Sequence, residues 1–303
     1  MFDCGEGAQR QMMRSLGLVA VDDVFLTHFH ADHYLGLPGL LKTYDLQGRE
    51  RPLRILGPSG LEALYASLNR IVGRLGYEVE LQELEPGGSV RGDGYEVLAY
   101  AVVHRGPALG YAFVEPSRPG RFDPAEAERL GVTDPTLFGR LQGGETVTSD
   151  AGQEVRPEQV LGEEREGRKI VITGDTAPCE ATEVAAHRAQ LLVHDGSFAD
   201  EEAGRAAETG HSTARQAAEL ARRAEVTMLA LVHVSSRYNV GAVLEEAREV
   251  MPEAVAPRDF DLVDIPYPER GEPRLLRDGA RADEADAGPQ GDSEAQSEER
   301  MPS

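Results

Sequence analysis

Four side chains suited to binding metal ions lie within six consecutive residues near the start of the chain. His28, His30, Asp32 and His33 follow directly on an apolar run at residues 21–27 that has the length of a β-strand. The end of a strand is a rigid mount, and the loop beyond it is free to curl around an ion. Imidazole nitrogen and carboxylate oxygen are ligands for zinc and neighbouring first-row metals. This segment therefore predicts a metal site.

Three further residues of ligand type follow other predicted strands. His104, Asp175 and His233 each stand directly after an apolar, strand-like run. A lone histidine or aspartate at such a place is usually structural. Here, however, four separate strand ends carry ligand types, and five of the eight histidines belong to the set. Because one loop cannot complete two coordination shells, the pattern predicts a metal centre assembled from loops that are distant along the chain.

The elements that would position these loops alternate between strands and helices, which favours an α/β sandwich. Strands are predicted at residues 21–27, 53–56, 79–84, 95–103, 111–114, 169–173, 191–193 and 227–232. Helices are predicted at residues 8–16, 35–46, 60–72, 213–224 and 240–250, with Ser59 as the N-cap of the third and Ser212 or Thr213 as that of the fourth. Residues 1–267 would form one domain.

Two segments differ in composition from the rest. Residues 115–168 are rich in glycine, proline and charge, and we interpret them as an inserted arm with a short helix at residues 124–130. Residues 268–303 are polar and acidic, which predicts a disordered tail.

The composition narrows the class of protein. No run approaches the ~18 apolar residues of a membrane helix, and no signal peptide is recognisable. The two cysteines, Cys4 and Cys179, are far apart and fit a reduced compartment, so we expect a cytoplasmic protein. The net charge of −22 argues against broad, nonspecific binding of nucleic acid. Lys42 and Lys169 are the only lysines, so arginine supplies nearly all the positive charge.

The spacing of the first cluster, HxHxDH, resembles the signature of the metallo-β-lactamase superfamily. This resemblance implies an αββα sandwich and two metal ions, most simply two zinc ions, although other divalent metals are compatible. One ion would take His28, His30 and His104, the other Asp32, His33 and His233, and Asp175 would bridge them. Two cations a few ångströms apart stabilise the attacking and leaving oxygens of a phosphodiester. Asp32 would also orient the attacking water or accept its proton.

Several longer segments resemble one branch of that superfamily, the ribonuclease Z family of tRNA 3′-processing endonucleases. Residues 2–11 (FDCGEGAQRQ) are similar to its FDCGEGTQRQ segment, residues 210–213 to its GHST motif, and residues 233–238 (HVSSRY) to its HxSxRY pattern. Residues 36–40 (GLPGL) resemble the helix after its metal loop. The resemblance spans about residues 2–267 and implies cleavage of pre-tRNA after the discriminator base, by a homodimer.

The same motifs supply candidates for catalysis. His211 would protonate the leaving ribose oxygen, with Glu208 orienting it, unless the imidazole merely satisfies the start of a helix. Ser235 and Arg237 would hold the scissile phosphate through charge-assisted hydrogen bonds, with an ordinary surface ion pair as the alternative for Arg237. Asp3 and Glu6 are expected to be hydrogen-bond acceptors that stabilise the loops near the metals. His187 and His194 are expected to be structural.

Two departures from the family qualify these expectations. The arm lacks the family's usual Gly-Pro pair and has Thr133, Asp134, Pro135 and Thr136 instead, and its arginines alternate with acids. Family members also begin with two more strands and a glycine-rich loop, so we expect the natural chain to start upstream of Met1.

Three functional hypotheses remain open from the sequence. The first is a zinc-dependent endonuclease that leaves a 3′-hydroxyl on the tRNA and a 5′-phosphate on the trailer. The second keeps the metals but acts on a small phosphodiester. The third is an inactive, truncated binding protein that retains the site.

Overall fold

Two β-sheets face each other in the computed structural model, which describes residues 1–15 and 17–277. The first sheet is parallel and has the order β1 (Asp23–Phe25), β2 (Leu53–Gly57), β3 (Val79–Glu83). The second has the order β12 (Ala254–Val255), β11 (Met228–Val232), β10 (Leu191–Asp195), β9 (Lys169–Ile172), β6 (Leu109–Val114), β5 (Tyr95–Ala101), β4 (Ser89–Gly92). Strands β9 to β12 pair in parallel, whereas β4, β5, β6 and β9 pair antiparallel.

Helices cover the outer faces of both sheets, and the described chain also contains two hairpins and three 3₁₀ turns. The helices are α1 (Ala8–Ser15), α2 (Ala31–Tyr34), α3 (Leu37–Leu46), α4 (Leu61–Val72), α5 (Pro124–Arg129), α6 (Pro135–Gln142), α7 (Glu180–Ala186), α8 (Ala203–Thr209), α9 (Ala214–Arg223) and α10 (Val240–Arg248). The hairpins are β7 (Val147–Thr148) with β8 (Glu154–Val155), and β13 (Leu262–Asp264) with β14 (Arg274–Leu276). None of the described helices combines the length and the apolar composition that crossing a lipid bilayer requires.

Three apolar clusters hold the layers together. Between the sheets, Phe25 packs edge-on against Tyr111 with ring centroids 5.3 Å apart, and the Tyr111 hydroxyl donates to the Leu26 carbonyl at 2.7 Å. Fully buried leucines of α3, such as Leu40, cover the first sheet. The alanine-rich face of α9, with Leu220, covers the second. Burial of each such leucine contributes roughly 1.5–3 kcal/mol. The predicted αββα sandwich is confirmed.

The structure corrects two local predictions. The helix predicted at residues 35–46 is α3 and begins at Leu37, because Pro38 lies in its first turn, where a missing N–H costs nothing. Ser59 does not cap α4: the N-cap is Gly60 in a left-handed conformation. The Glu83 carboxylate accepts from the Gly60 and Glu62 amides instead, at 2.8 and 3.2 Å.

The arm, residues 115–168, contains α5, α6 and the hairpin β7–β8. It has an apolar cluster of its own, with Ala127, Val132 and Leu141 fully buried. Beyond residue 267, the described chain continues through a 3₁₀ turn and β14 to Arg277. The remainder of the predicted acidic tail, from residue 278, lies outside the described residues.

Candidate metal centre

The predicted ligands meet at one edge of the sandwich because their strands run in the same direction. Strands β9, β10 and β11 are parallel neighbours, and β5 runs the same way, since it is antiparallel to β6, which is antiparallel to β9. Loops that follow these strands therefore emerge at a common edge. A bridge between Val103 and Ala177 joins two of the loops. The loop after β1 meets them from the first sheet and carries Asp32 and His33 on the short helix α2.

Three imidazoles and one carboxylate converge at the first position. His30 Nδ1 lies 3.0 Å from His28 Nε2 and 3.2 Å from His104 Nε2. Asp175 Oδ2 is 3.6 Å from His28 Nε2. Tetrahedral zinc with nitrogen ligands at 2.0–2.1 Å would place those nitrogens roughly 3.3 Å apart. The set His28, His30, His104 and Asp175 therefore has the spacing of a coordination shell.

The second position uses the remaining ligands around the same carboxylate. His33 Nε2 lies 3.3 Å from Asp175 Oδ1, and His233 Nε2 lies 3.5 Å from Asp175 Oδ2. Asp32 Oδ2 is 3.3 Å from His233 Nε2 and 3.6 Å from His33 Nε2. Asp175 thus stands between both sets, as a bridging ligand must. The structure brings all seven predicted ligands together.

The hydrogen bonding and protonation of the ligand side chains are those expected around a bound cation. Asp175 is 2% exposed, yet its Oδ1 has no hydrogen-bond partner, and His33 approaches it without hydrogen-bond geometry. An unpartnered buried carboxylate oxygen is costly unless a cation occupies its lone pairs. Burial alone would raise the pKa of Asp175, but the surrounding imidazoles, His33 first, hold it well below its ordinary range. Burial lowers the pKa of His28 to about 3, which leaves a neutral ring with a free lone pair.

His33 differs from His28 because two carboxylates contact it. Burial disfavours its charged form, but Asp175 and Asp3 outweigh burial and raise the pKa of His33 to about 10. A cation at His33 Nε2 would displace that proton, so metal binding at this position should release one.

A second layer of hydrogen bonds fixes the ligand rings. Asp3 Oδ2 holds His33 Nδ1 at 2.7 Å, and Asp3 also accepts from the Thr27 amide at 2.7 Å and the Thr27 hydroxyl at 2.8 Å. The Gly210 carbonyl lies 2.8 Å from His104 Nδ1, and Ser197 Oγ lies 2.7 Å from His233 Nδ1. Such partners set the tautomer and orientation of a ligand. Asp3 therefore fulfils the predicted role of a loop acceptor, whereas Glu6 is exposed.

Backbone geometry at the site is constrained. Asp3 and His233 adopt left-handed φ angles of 52° and 59°, which are uncommon for residues other than glycine. Gly174, just before the bridging carboxylate, has φ 63°, and a Cβ there would lie 2.6 Å from Thr27 Oγ1. Only glycine allows this approach between the two loops.

His211 lies beside the metal ligands, and the carboxylate that forms a hydrogen bond with it is Asp195, whereas Asp175 Oδ2 is 4.0 Å away. The His211 ring stacks on His233 with centroids 5.2 Å apart, and His211 Nδ1 is 2.7 Å from Asp195 Oδ2. Burial lowers the pKa of His211, but the hydrogen bond and charge of Asp195 outweigh burial and raise it above its ordinary value. The prediction that Glu208 orients His211 is wrong, because Glu208 is exposed and its backbone carbonyl accepts from Arg105 at 2.7 Å.

Sequence reasoning missed Asp195 although a signal was present. Asp195 is the last residue of β10 and is completely buried. It therefore shares the strand-end placement that identified the other site residues. The neighbouring His194 is buried, with Nδ1 2.8 Å from the Asp195 carbonyl, and it does not belong to the clusters of possible ligands, nor does the exposed His187.

The two predicted phosphate-binding residues differ in whether their side chains already have a partner in the protein: Arg237 is paired with Glu202, whereas the bond described for Ser235 is made by its backbone amide. Arg237 donates to Glu202 Oε2 at 2.9 Å, and its guanidinium lies 5.6 Å from the Phe198 ring. This is the surface ion pair that the sequence left as the alternative. The Ser235 amide donates to the carbonyl of Ser197 at 3.1 Å, and Ser197 is the residue whose hydroxyl contacts His233.

An αββα sandwich with this ligand loop at its edge is the metallo-β-lactamase fold, and the model of the metallo-beta-lactamase superfamily matches residues 1–115. Ribonuclease Z from Gemmatimonas aurantiaca is 49% identical over 88% of this chain and 86% of that protein. Ribonuclease Z from Methanosarcina acetivorans is 47% identical over 88% of each chain. The crystal structure of the short form of human tRNase Z superposes with a TM-score of 0.61 at 27% identity, covering 88% of this chain and 87% of that one. The chain belongs to the ribonuclease Z family.

Proposed function

We propose that this protein is a metal-dependent endoribonuclease that removes the 3′ trailer from precursor tRNA. Cleavage after the discriminator base would leave a 3′-hydroxyl on the tRNA and a 5′-phosphate on the trailer. The observation that carries the proposal is the complete site, seven ligands with a hydrogen-bonded His211–Asp195 pair beside them, in a chain about half identical to ribonuclease Z.

The cofactor proposed is a pair of zinc ions per subunit, with other divalent metals as alternatives. The first would be held by His28, His30 and His104, the second by Asp32, His33 and His233, with Asp175 between them. When bound, the ions would supply Lewis-acid stabilisation of charge on the phosphodiester oxygens. Nitrogen and carboxylate donors of this kind suit zinc and neighbouring first-row metals.

The protein's own residues would move the protons. Asp32 is 62% exposed in its side chain, so it can accept a proton from the attacking water as the new P–O bond forms. His211 would donate a proton to the ribose 3′-oxygen as the P–O3′ bond breaks. Asp195 would keep that imidazole protonated and aimed, through the bond at 2.7 Å. Ser235 remains a candidate contact for the phosphate, and Arg237 would have to leave Glu202 to assist it.

Cleavage assays with two substrates test the proposal. A 3′-extended tRNA and a small diester, bis(p-nitrophenyl) phosphate, are incubated with the purified protein, with and without chelator and with zinc restored. We expect chelator-sensitive cleavage of the tRNA at one bond, with the ends named above. Cleavage of the small diester alone would indicate a small-substrate phosphodiesterase. Zinc-loaded protein that cleaves neither would support the binding-protein hypothesis.

Two histidine variants sharpen the assignment. His211→Ala should slow turnover while leaving metal content unchanged. His187→Ala is the matched control, because His187 is exposed and lies outside the site. If His211→Ala lost zinc in proportion to its loss of turnover, the proposed role of His211 as a proton donor would be contradicted.

From the resemblance to the ribonuclease Z family we propose that the protein is a homodimer, and we propose that it acts in the cytoplasm. The two cysteines are both free, which agrees with a reduced compartment. Sedimentation of the zinc-loaded protein at micromolar concentration measures its oligomeric state, and a monomer would refute the dimer.

A further inference from the structure

The arm joins the rest of the protein through a two-stranded stem. The Arg118 amide donates to the Arg165 carbonyl at 2.8 Å, and the Arg165 amide donates to the Arg118 carbonyl at 2.9 Å. Nearer the sheets, the Glu115 amide donates to the Arg168 carbonyl at 2.9 Å. Since the apolar cluster of the arm is separate from those of the sandwich, the orientation of the arm depends on how this stem is held.

One side chain of the stem is packed against the segment between β13 and β14. The Arg118 guanidinium carbon lies 3.4 Å from the centroid of the Tyr267 ring. Arg118 Nη2 donates to both carboxylate oxygens of Glu269, at 2.8 and 2.9 Å. Arg118 Nε is buried without a hydrogen-bond partner, so the ring and the carboxylate determine where this guanidinium sits. Cation–π stacking combined with a charge-assisted bond is stronger than an ordinary surface ion pair.

The opposite strand of the stem reaches the same segment. Arg165 Nη1 lies 3.4 Å from Glu269 Oε1, and Arg165 Nε donates to the Pro119 carbonyl at 2.9 Å. The Arg168 guanidinium carbon lies 4.7 Å from the Tyr267 centroid. Both strands are therefore attached to two residues, Tyr267 and Glu269, and the stem cannot swing or twist without breaking contacts on one side.

We infer that Tyr267 and Glu269 form a clamp that fixes the direction of the arm relative to the metal centre. By fixing the arm, this clamp positions any substrate that is large enough to touch both the arm and the metal centre. Tyr267 and Glu269 are positioning residues, since they lie outside the metal centre. A substrate that occupies only the metal centre does not depend on them. The part concerning tRNA rests on the function proposed above, whereas the mechanical part does not.

Hydrogen exchange tests the mechanical part directly. Glu269→Gln removes the charge but keeps the shape, and Tyr267→Leu removes the ring. Glu272→Gln is the matched control, because it makes the same charge change at an exposed position of the same segment. We expect faster exchange at residues 116–120 and 163–168 in the first two variants but not in the control. Unchanged exchange in both would overturn the clamp, whatever the enzyme cleaves.

Steady-state kinetics with zinc-loaded protein test its consequence. Glu269→Gln should raise KM for a 3′-extended tRNA roughly fivefold with little change in kcat. Hydrolysis of bis(p-nitrophenyl) phosphate should stay at the wild-type rate. A parallel fall with both substrates would show a general defect and refute the positioning role. If wild-type protein does not cleave tRNA, the proposed function fails, and the exchange experiment alone decides the clamp.

Discussion

Asp195→Asn is the most informative single change, because one buried carboxylate organises both the proposed proton donor, His211, and a metal ligand, His233. Asp195 is fully buried and accepts four hydrogen bonds. Oδ2 accepts from the Thr176 amide at 3.0 Å and from His211 Nδ1 at 2.7 Å. Oδ1 accepts from the Ser197 amide at 2.9 Å and the Ser197 hydroxyl at 2.6 Å. Ser197 in turn contacts His233.

The hydrogen bonds that Asp195→Asn removes determine how much stability and activity the variant should lose. An asparagine offers one oxygen and one NH₂ group, so its nitrogen must face one of the two donor pairs. Two of the four bonds are lost, and each bond to a charged group is worth about 1.5–3 kcal/mol. Rotation of the Ser197 hydroxyl offsets part of this, so we expect a loss of about 2–4 kcal/mol in the free energy of unfolding. Because His211 loses its anionic partner in this variant, kcat of the enzyme should also fall about 100-fold, which is equivalent to ~2.7 kcal/mol.

Single-turnover cleavage of 3′-extended tRNA at saturating zinc measures the kinetic effect, and urea unfolding followed by far-ultraviolet circular dichroism measures stability, since the chain has no tryptophan. A double variant supplies the decisive comparison. If Asp195 acts through His211, adding Asp195→Asn to His211→Ala should slow the enzyme no further. Multiplied losses in the double variant, with metal content intact, would refute the reasoning.

Four other experiments have defined outcomes. Asp175→Ala should abolish cleavage and reduce bound zinc, because the bridge between the two ligand sets is removed; unchanged turnover at normal metal content would contradict the assignment. Excess chelator should lower Tm by about 5–10 °C relative to zinc-saturated protein, as expected when ligand at about 100 times Kd stabilises the fold by ~2.7 kcal/mol, and an unchanged Tm would argue against a structural contribution from the metals. Gly174→Ala should cost roughly 2–4 kcal/mol in urea unfolding, because φ is 63° and the new Cβ would meet Thr27; a neutral effect would show that the loops can separate. Burial raises the pKa of Cys4 to about 12, so Cys4 stays a neutral thiol at pH 8 in the folded state. Iodoacetamide should therefore label Cys179 but not Cys4 until the protein is unfolded, and mass spectrometry of labelled peptides would detect any early modification of Cys4.

Much of the architecture was predictable from the sequence because apolar runs of strand length end in residues of one chemical type. An α/β sandwich, the loop from His28 to His33 and the partners His104, Asp175 and His233 followed from that local pattern, whereas the αββα class followed from the resemblance of the HxHxDH motif to the metallo-β-lactamase superfamily. Short or edge elements such as β4 and β12 were missed, since two to four residues carry too little periodicity.

What the sequence could not decide depends on distances between residues far apart along the chain. Glu208 is three residues from His211 and looked like its partner, whereas Asp195, sixteen residues away, contacts it at 2.7 Å. The helix α8 ends at Thr209, and the left-handed Gly210 then turns the chain. Glu208 is thereby left in solvent, while the end of β10 delivers Asp195 into the site. The local sequence determines where strands end and which side chains stand there. The packing of sheet, turn and helix determines which carboxylate reaches which imidazole.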